Sequence, residues 1–111
     1  SSYAPMMKKE DGRIDWNRSA LEVHNHVRGL DPWPGAYTSL NGEWLKLACT
    51  RPETNGEAPP GTIIAADKDG VRIACGRGVL LVRELQLAGR KRLGAADFLR
   101  GCSLQPGTAL E

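Results

Sequence analysis

The sequence lacks the features that mark several protein classes, namely long apolar runs, paired cysteines and abundant aromatic residues. Its apolar runs are no longer than residues 79–82, whereas a membrane-spanning helix needs about 20 such residues. Its cysteines, Cys49, Cys75 and Cys102, form no C-x-x-C pair, so neither a disulfide framework nor a structural zinc site is expected. Hydrophobic residues at 41% and charged residues at 25% exclude a disordered tail and indicate a globular chain.

The length of 111 residues allows one small core, either a single domain or a piece of a larger protein. No signal or transit peptide is apparent, and we expect a cytoplasmic protein. We interpret residues 1–16 as a linker or arm, residues 17–109 as the domain, and residues 110–111 as a possible tag remnant without structural weight.

Charge is unevenly distributed along the chain. The net charge is only +2, which by itself does not indicate a nucleic-acid partner. Residues 71–105, however, hold seven basic and two acidic side chains, so this segment carries +5 and the rest of the chain −3. Such asymmetry favours a basic face on a near-neutral body.

Hydrophobic periodicity predicts a helix followed by short strands. Ser19 and Glu22 have the capping-box spacing, apolar residues recur at helical steps up to Leu30, and Gly29 suits a left-handed C-terminal position. Strands are predicted at residues 36–40, 43–50, 62–66, 71–75 and 79–87, with a loop at 51–60 and a short helix at 95–100. On the second strand, Leu45, Leu47 and Cys49 are expected on one face and Trp44, Lys46 and Ala48 on the other.

This order predicts a mainly β fold, a small open OB-like antiparallel barrel of about five to six strands with an N-terminal linker helix and a short C-terminal helix. Curling into a barrel avoids long exposed edge strands. We expect the leading helix to plug or flank the barrel.

No constellation in the sequence predicts catalysis or metal binding. His24 and His26 are two residues apart on a helix and point in different directions, so they cannot share a metal. The turn at residues 67–70 lacks the remaining ligands of a calcium loop, and residues 76–78 lack the third glycine of a phosphate loop. We therefore expect no catalytic residue, cofactor or metal site in this chain.

One dense cationic run, Arg90-Lys91-Arg92, has two interpretations. It binds phosphate groups, or it is a solvated loop that keeps the domain soluble. The tryptophans are also ambiguous, because stacking on unpaired bases and anchoring of the core both use indole rings. Trp16 and Trp33 bracket the predicted helix, which favours anchoring for those two.

Several strings of this sequence, in order along nearly the whole chain, resemble the C-terminal domain of the methionyl-tRNA formyltransferase family. They lie at residues 3–5, 9–16, 27–38, 60–63, 85–87, 89–92, 96–101 and 106–108. Each string is weak alone, but the combination is specific. The sequence departs from the family at Met6, where lysine is frequent, and at Gly94, where a helix-capping residue is frequent.

The resemblance implies a tRNA-positioning domain of a transferase that acts in translation initiation. The catalytic centre and its donor, 10-formyltetrahydrofolate, are then in an N-terminal domain of the same protein, and this chain alone is expected to be inactive. The partners implied are initiator methionyl-tRNA and that catalytic domain, with no membrane or metal. The candidate nucleic-acid-binding residues are Lys8, Lys9, Arg72, Arg77, Arg83, Arg90, Lys91 and Arg92.

Two other hypotheses remain open at this point. The chain is the equivalent subdomain of a formyltetrahydrofolate dehydrogenase or hydrolase, or of a sugar-nucleotide formyltransferase, or it is a purely structural barrel. The basic run and residues 33–37 favour the tRNA enzyme.

Overall fold

A computed structural model describes residues 12–30, 35–54, 56 and 58–110. In chain order its elements are α1 (Ala20–Leu30), β1 (Ala36–Leu40), β2 (Glu43–Glu53), β3 (Ile63–Asp67), β4 (Gly70–Ala74), β5 (Val79–Leu87), β6 (Leu93–Gly94) and α2 (Ala95–Gly101). The strands form one antiparallel sheet in the order β1-β2-β5-β4-β3, and β6 pairs with β5. The end strands β1 and β3 do not pair with each other in the described part, so the sheet is open. The mainly β, open architecture predicted from the sequence is confirmed.

Helix α1 begins at the predicted capping box. The Ser19 hydroxyl accepts a hydrogen bond from the Glu22 backbone N–H at 3.2 Å, and the Ser19 backbone N–H donates to Glu22 Oε1 at 3.1 Å. These two bonds satisfy backbone donors that the first turn of a helix leaves free. Gly29 is helical rather than left-handed, which corrects that prediction, and α1 ends at Leu30, whose carbonyl accepts from the Gly35 N–H.

The core lies between the sheet and the two helices. Helix α1 contributes Ala20, Val23, Val27 and Leu30, all buried, and α2 contributes Ala95 and Phe98. Burying a valine, leucine or phenylalanine side chain stabilises a fold by about 1.5–3 kcal/mol relative to exposure. On β4, Val71 and Ile73 are buried on the core face together with the following Cys75.

Strand β2 is longer and less regular than predicted. It continues to Glu53, with Pro52 opposite Leu80 of β5, so residues 51–53 do not belong to a loop. Cys49 has φ +54° and is exposed, whereas alternation places it with buried Leu45 and Leu47. The left-handed backbone at Cys49 interrupts the period of two, and the prediction for its side chain was wrong.

Residues near both limits of the described chain pack onto edge strands. Arg13 forms a parallel bridge with Tyr37 of β1, and the Ile14 N–H donates to the Tyr37 carbonyl at 2.9 Å. At the other edge, the Ile63 N–H donates to the Thr108 carbonyl and the Leu110 N–H to the Gly61 carbonyl. Ile14 and Trp16 of the predicted arm are buried, and Leu110, expected to lack structural weight, is also part of the core. No helix in the described residues has the length and apolar character needed to cross a bilayer.

Candidate nucleic-acid interface

The cationic run at residues 90–92 lies in the connection between β5 and β6, and its three side chains are exposed. The turn is ordered by the Arg90 N–H, which donates to the Leu87 carbonyl at 2.9 Å. The Gln86 side-chain amide donates to the Arg90 carbonyl at 2.7 Å. These two hydrogen bonds fix the backbone of a turn whose three cationic residues are exposed to solvent.

Lys46 of β2 and Arg92 come together beside this turn. They line one small pocket of about 40 Å³ together with Gln86, which lies opposite Lys46 in the β2–β5 register. Arg92 Nε is 3.0 Å from Glu84 Oε1. Lys46 forms no salt bridge with any described residue. The pocket is too small for a nucleoside, so a ligand that contacts both cations must lie over it.

Trp44 lies next to these cations on the exposed side of β2. Its carbonyl accepts a hydrogen bond from the Ala88 N–H at 3.0 Å, which joins it to the β5–β6 turn. The edge-on ring of Tyr37 has its centroid 4.8 Å from that of Trp44, and the Arg13 guanidinium carbon is 5.7 Å from the indole centroid. The indole nevertheless remains 39% exposed.

We call the exposed residues of this region the basic face: Trp44 and five cations, namely Arg13, Lys46, Arg90, Lys91 and Arg92. Glu84 is the carboxylate paired within it. A surface of this composition attracts polyanions and releases their counterions on binding. Three of its cations were predicted from the sequence, and Arg13 and Lys46 were missed as binding candidates. The signal for Lys46 was its place on the exposed side of the predicted strand.

The structure places the other predicted residues elsewhere. Arg72 forms ion pairs with Glu53 (Nε to Oε1, 2.9 Å) and with Asp67 (Nη1 to Oδ2, 3.8 Å). The hydrogen bond with Glu53 raises the pKa of the Arg72 guanidinium. Arg77 is in the β4–β5 turn, where its carbonyl accepts from the Ala20 N–H at the start of α1. Arg83 lines a separate groove that also contains carboxylates. Lys8 and Lys9 lie outside the described residues.

His24 and Cys75 have structural surroundings. His24 Nδ1 is 2.8 Å from the Thr50 hydroxyl, a contact between α1 and β2, and burial lowers the pKa of the imidazole with help from nearby Arg28. Burial raises the pKa of the Cys75 thiol to about 11, which keeps it protonated at neutral pH. Within the described ranges, no three histidine, cysteine or acidic side chains are grouped so that they could hold a metal ion.

Comparison with known proteins identifies the family to which this fold belongs. The family model described as "Formyl transferase, C-terminal domain" matches residues 6–103. The chain belongs to the formyl transferase C-terminal domain family. The likeness inferred from the sequence strings is thereby confirmed.

Several similar curated relatives are methionyl-tRNA formyltransferases. The methionyl-tRNA formyltransferase of Geobacter metallireducens is 55% identical over 108 residues, which cover 97% of this chain and 34% of that protein. The methionyl-tRNA formyltransferase of Geobacter sulfurreducens is 53% identical over 109 residues, with the same coverages. This formyl transferase C-terminal domain therefore spans about a third of the length of these relatives.

A solved structure contains a domain with the same fold as this chain. HypX from Aquifex aeolicus, in its crystal structure in complex with tetrahydrofolic acid, superposes with a TM-score of 0.73 at 24% identity. The match covers 86% of this chain and 18% of HypX. At this level of identity the likeness concerns the fold of the formyl transferase C-terminal domain alone.

Proposed function

We propose that this chain is the tRNA-binding domain of a methionyl-tRNA formyltransferase. That enzyme transfers a formyl group from 10-formyltetrahydrofolate to the α-amino group of initiator methionyl-tRNA in the cytoplasm. The donor and the catalytic groups belong to another domain of the same protein. The role of this domain is to bind the tRNA body so that its aminoacyl end reaches that catalytic domain.

The observation that carries the proposal is the basic face. Arg90 and Lys91 have exposed side chains on an ordered backbone, and Lys46 extends their charge across β2. Phosphate contacts of this kind fix the position of a nucleic acid without reading its sequence, as a positioning domain requires. Relatives named methionyl-tRNA formyltransferase, at 53–55% identity, favour a tRNA substrate over the small substrates of the alternative enzymes.

The proposal is tested by charge reversal in the full-length formyltransferase of which this chain is a part. Changing Arg90, Lys91 and Arg92 to glutamate should raise KM for methionyl-tRNA at least about tenfold, because phosphate contacts are lost, and leave the affinity for 10-formyltetrahydrofolate unchanged, because the donor binds to another domain. The matched control reverses three exposed arginines outside the basic face, Arg18, Arg28 and Arg100, and so makes the same change in net charge. Equal KM values for the two triple variants would reject the proposal.

A further inference from the structure

Trp44 is an exposed aromatic side chain without a role in the core. The hydrophobic cluster contains Trp16 but not Trp44, and Leu21 and Leu93 are the other large hydrophobic residues with comparable exposure in the described chain. Exposing an indole keeps much of its apolar area in water, so this position gives up stabilisation that burial would supply.

The neighbours of Trp44 order its ring and leave 39% of the residue exposed. Tyr37 is 92% buried, and its ring meets Trp44 at an interplanar angle of 81°. Arg13, held by the adjacent Ile14–Tyr37 hydrogen bond, places a guanidinium over the indole. A ring ordered in this way loses little rotational freedom when a flat ligand stacks on it.

Cations lie at the spacing of a nucleotide from this ring. Lys46 is two residues further along β2, about 7 Å in extended strand geometry, and on the same side of the strand. Arg92 and Lys46 share the next pocket. Because the sugar separates the base of a nucleotide from its phosphate by several ångströms, a base stacked on Trp44 could place its phosphate within reach of Lys46.

We propose that Trp44 is a stacking platform for an unpaired base of bound RNA, with Lys46 contacting the adjacent phosphate. This rests on the proposed function, because it names the part of the RNA that the basic face recognises. Stacking on an aromatic side chain tolerates any base, so the platform distinguishes single-stranded from paired RNA rather than one sequence from another.

The experiment compares two RNA probes on the full 111-residue chain, a short single-stranded oligouridylate and a duplex of the same length. Trp44→Ala should weaken binding of the single strand about tenfold and change binding of the duplex less than twofold, because paired bases are not free to stack. Leu21→Ala is the matched control, since Leu21 is an exposed apolar residue on α1, and it should change neither affinity.

Trp44→Phe keeps an aromatic ring and serves as the control for a folding defect in the alanine variant. It should bind the single strand within about threefold of the parent chain and lose the indole fluorescence quenching that the single strand produces. Equal weakening of both probes by Trp44→Ala, no weakening, or quenching that persists in Trp44→Phe would overturn the stacking proposal alone. Failure of both RNAs to bind, with no effect of reversing residues 90–92 on KM, would overturn the proposed function as well.

Discussion

The indole Nε1 of Trp16 donates a hydrogen bond to the hydroxyl of Thr38 across 2.9 Å, and both residues are buried. This bond joins the segment before α1 to strand β1. Thr38→Val keeps the shape of the side chain but leaves a buried indole N–H without this acceptor. We expect the free energy of unfolding, measured by urea denaturation, to fall by about 1–3 kcal/mol.

The Trp16→Phe background provides the control for this prediction. There the donor is absent, so the Thr38→Val substitution should cost clearly less than it does in the parent chain. The same cost in both backgrounds would show that the hydrogen bond is not the source of the effect.

Substitution of Lys46 should affect tRNA binding and substitution of Arg72 should affect stability, although both residues are cations on the sheet. Lys46→Ala removes a phosphate contact and should reduce the slope of log affinity for tRNA against log salt by about one. Arg72→Ala breaks a half-exposed pair with Glu53, so it should leave tRNA affinity within about twofold and lower stability by about 0.5 kcal/mol. A salt slope that changes for Arg72→Ala instead would show that the basic face has been assigned to the wrong residues.

Glu22 should make the stability of the domain sensitive to acid. Hydrogen bonds from the Ser19 backbone N–H and then from its hydroxyl lower the pKa of this carboxyl from its ordinary value of 4.5. A depressed pKa in the folded state stabilises the fold above pH 4.5, and the benefit is lost as pH falls through the folded value. Thermal unfolding below pH 4.5 should therefore depend less on pH in Glu22→Gln than in the parent chain, and parallel curves would contradict this.

At position 49, the usual preference of a strand for valine over glycine should be reversed. At φ +54° a β-branched side chain is strained, whereas glycine is not. We expect Cys49→Val to be at least about 1 kcal/mol less stable than Cys49→Gly. Arg51, exposed on the same strand with ordinary φ, is the matched position, and there valine should be the more stable of the pair.

The elements set by local signals were predictable from the sequence, and those set by distant pairing were not. The capping box of α1 and the hairpin at Asn41-Gly42 are short-range patterns, and both are present. Residues 51–53 have a loop-like composition, but pairing with β5 makes them a strand. The same pairing places Glu53 beside Arg72. The ion pair between them could therefore not be predicted from the sequence, and Arg72 was instead predicted to bind nucleic acid.

The candidate site also contains residues that could be predicted from local sequence and residues that could not. Residues 90–92 are adjacent in sequence, so their common position could be predicted from charge alone. Lys46 and Arg13 join them through the β2–β5 register and through the bridge to Tyr37, which involve contacts between residues far apart in the chain. A single sequence contains no direct record of such contacts.

The two segments that pack against β1 and β3 have a further consequence for how this open sheet behaves at high concentration. An open sheet offers two rows of unsatisfied backbone groups to any other strand, which is a common route to aggregation. Here the Tyr37 carbonyl at one margin, and the Ile63 N–H and Gly61 carbonyl at the other, are already used by residues 14, 108 and 110 of the same chain. Deleting residues 108–110 would leave these backbone groups beside β3 without partners and available to a strand of another copy. We therefore expect this segment to limit self-association.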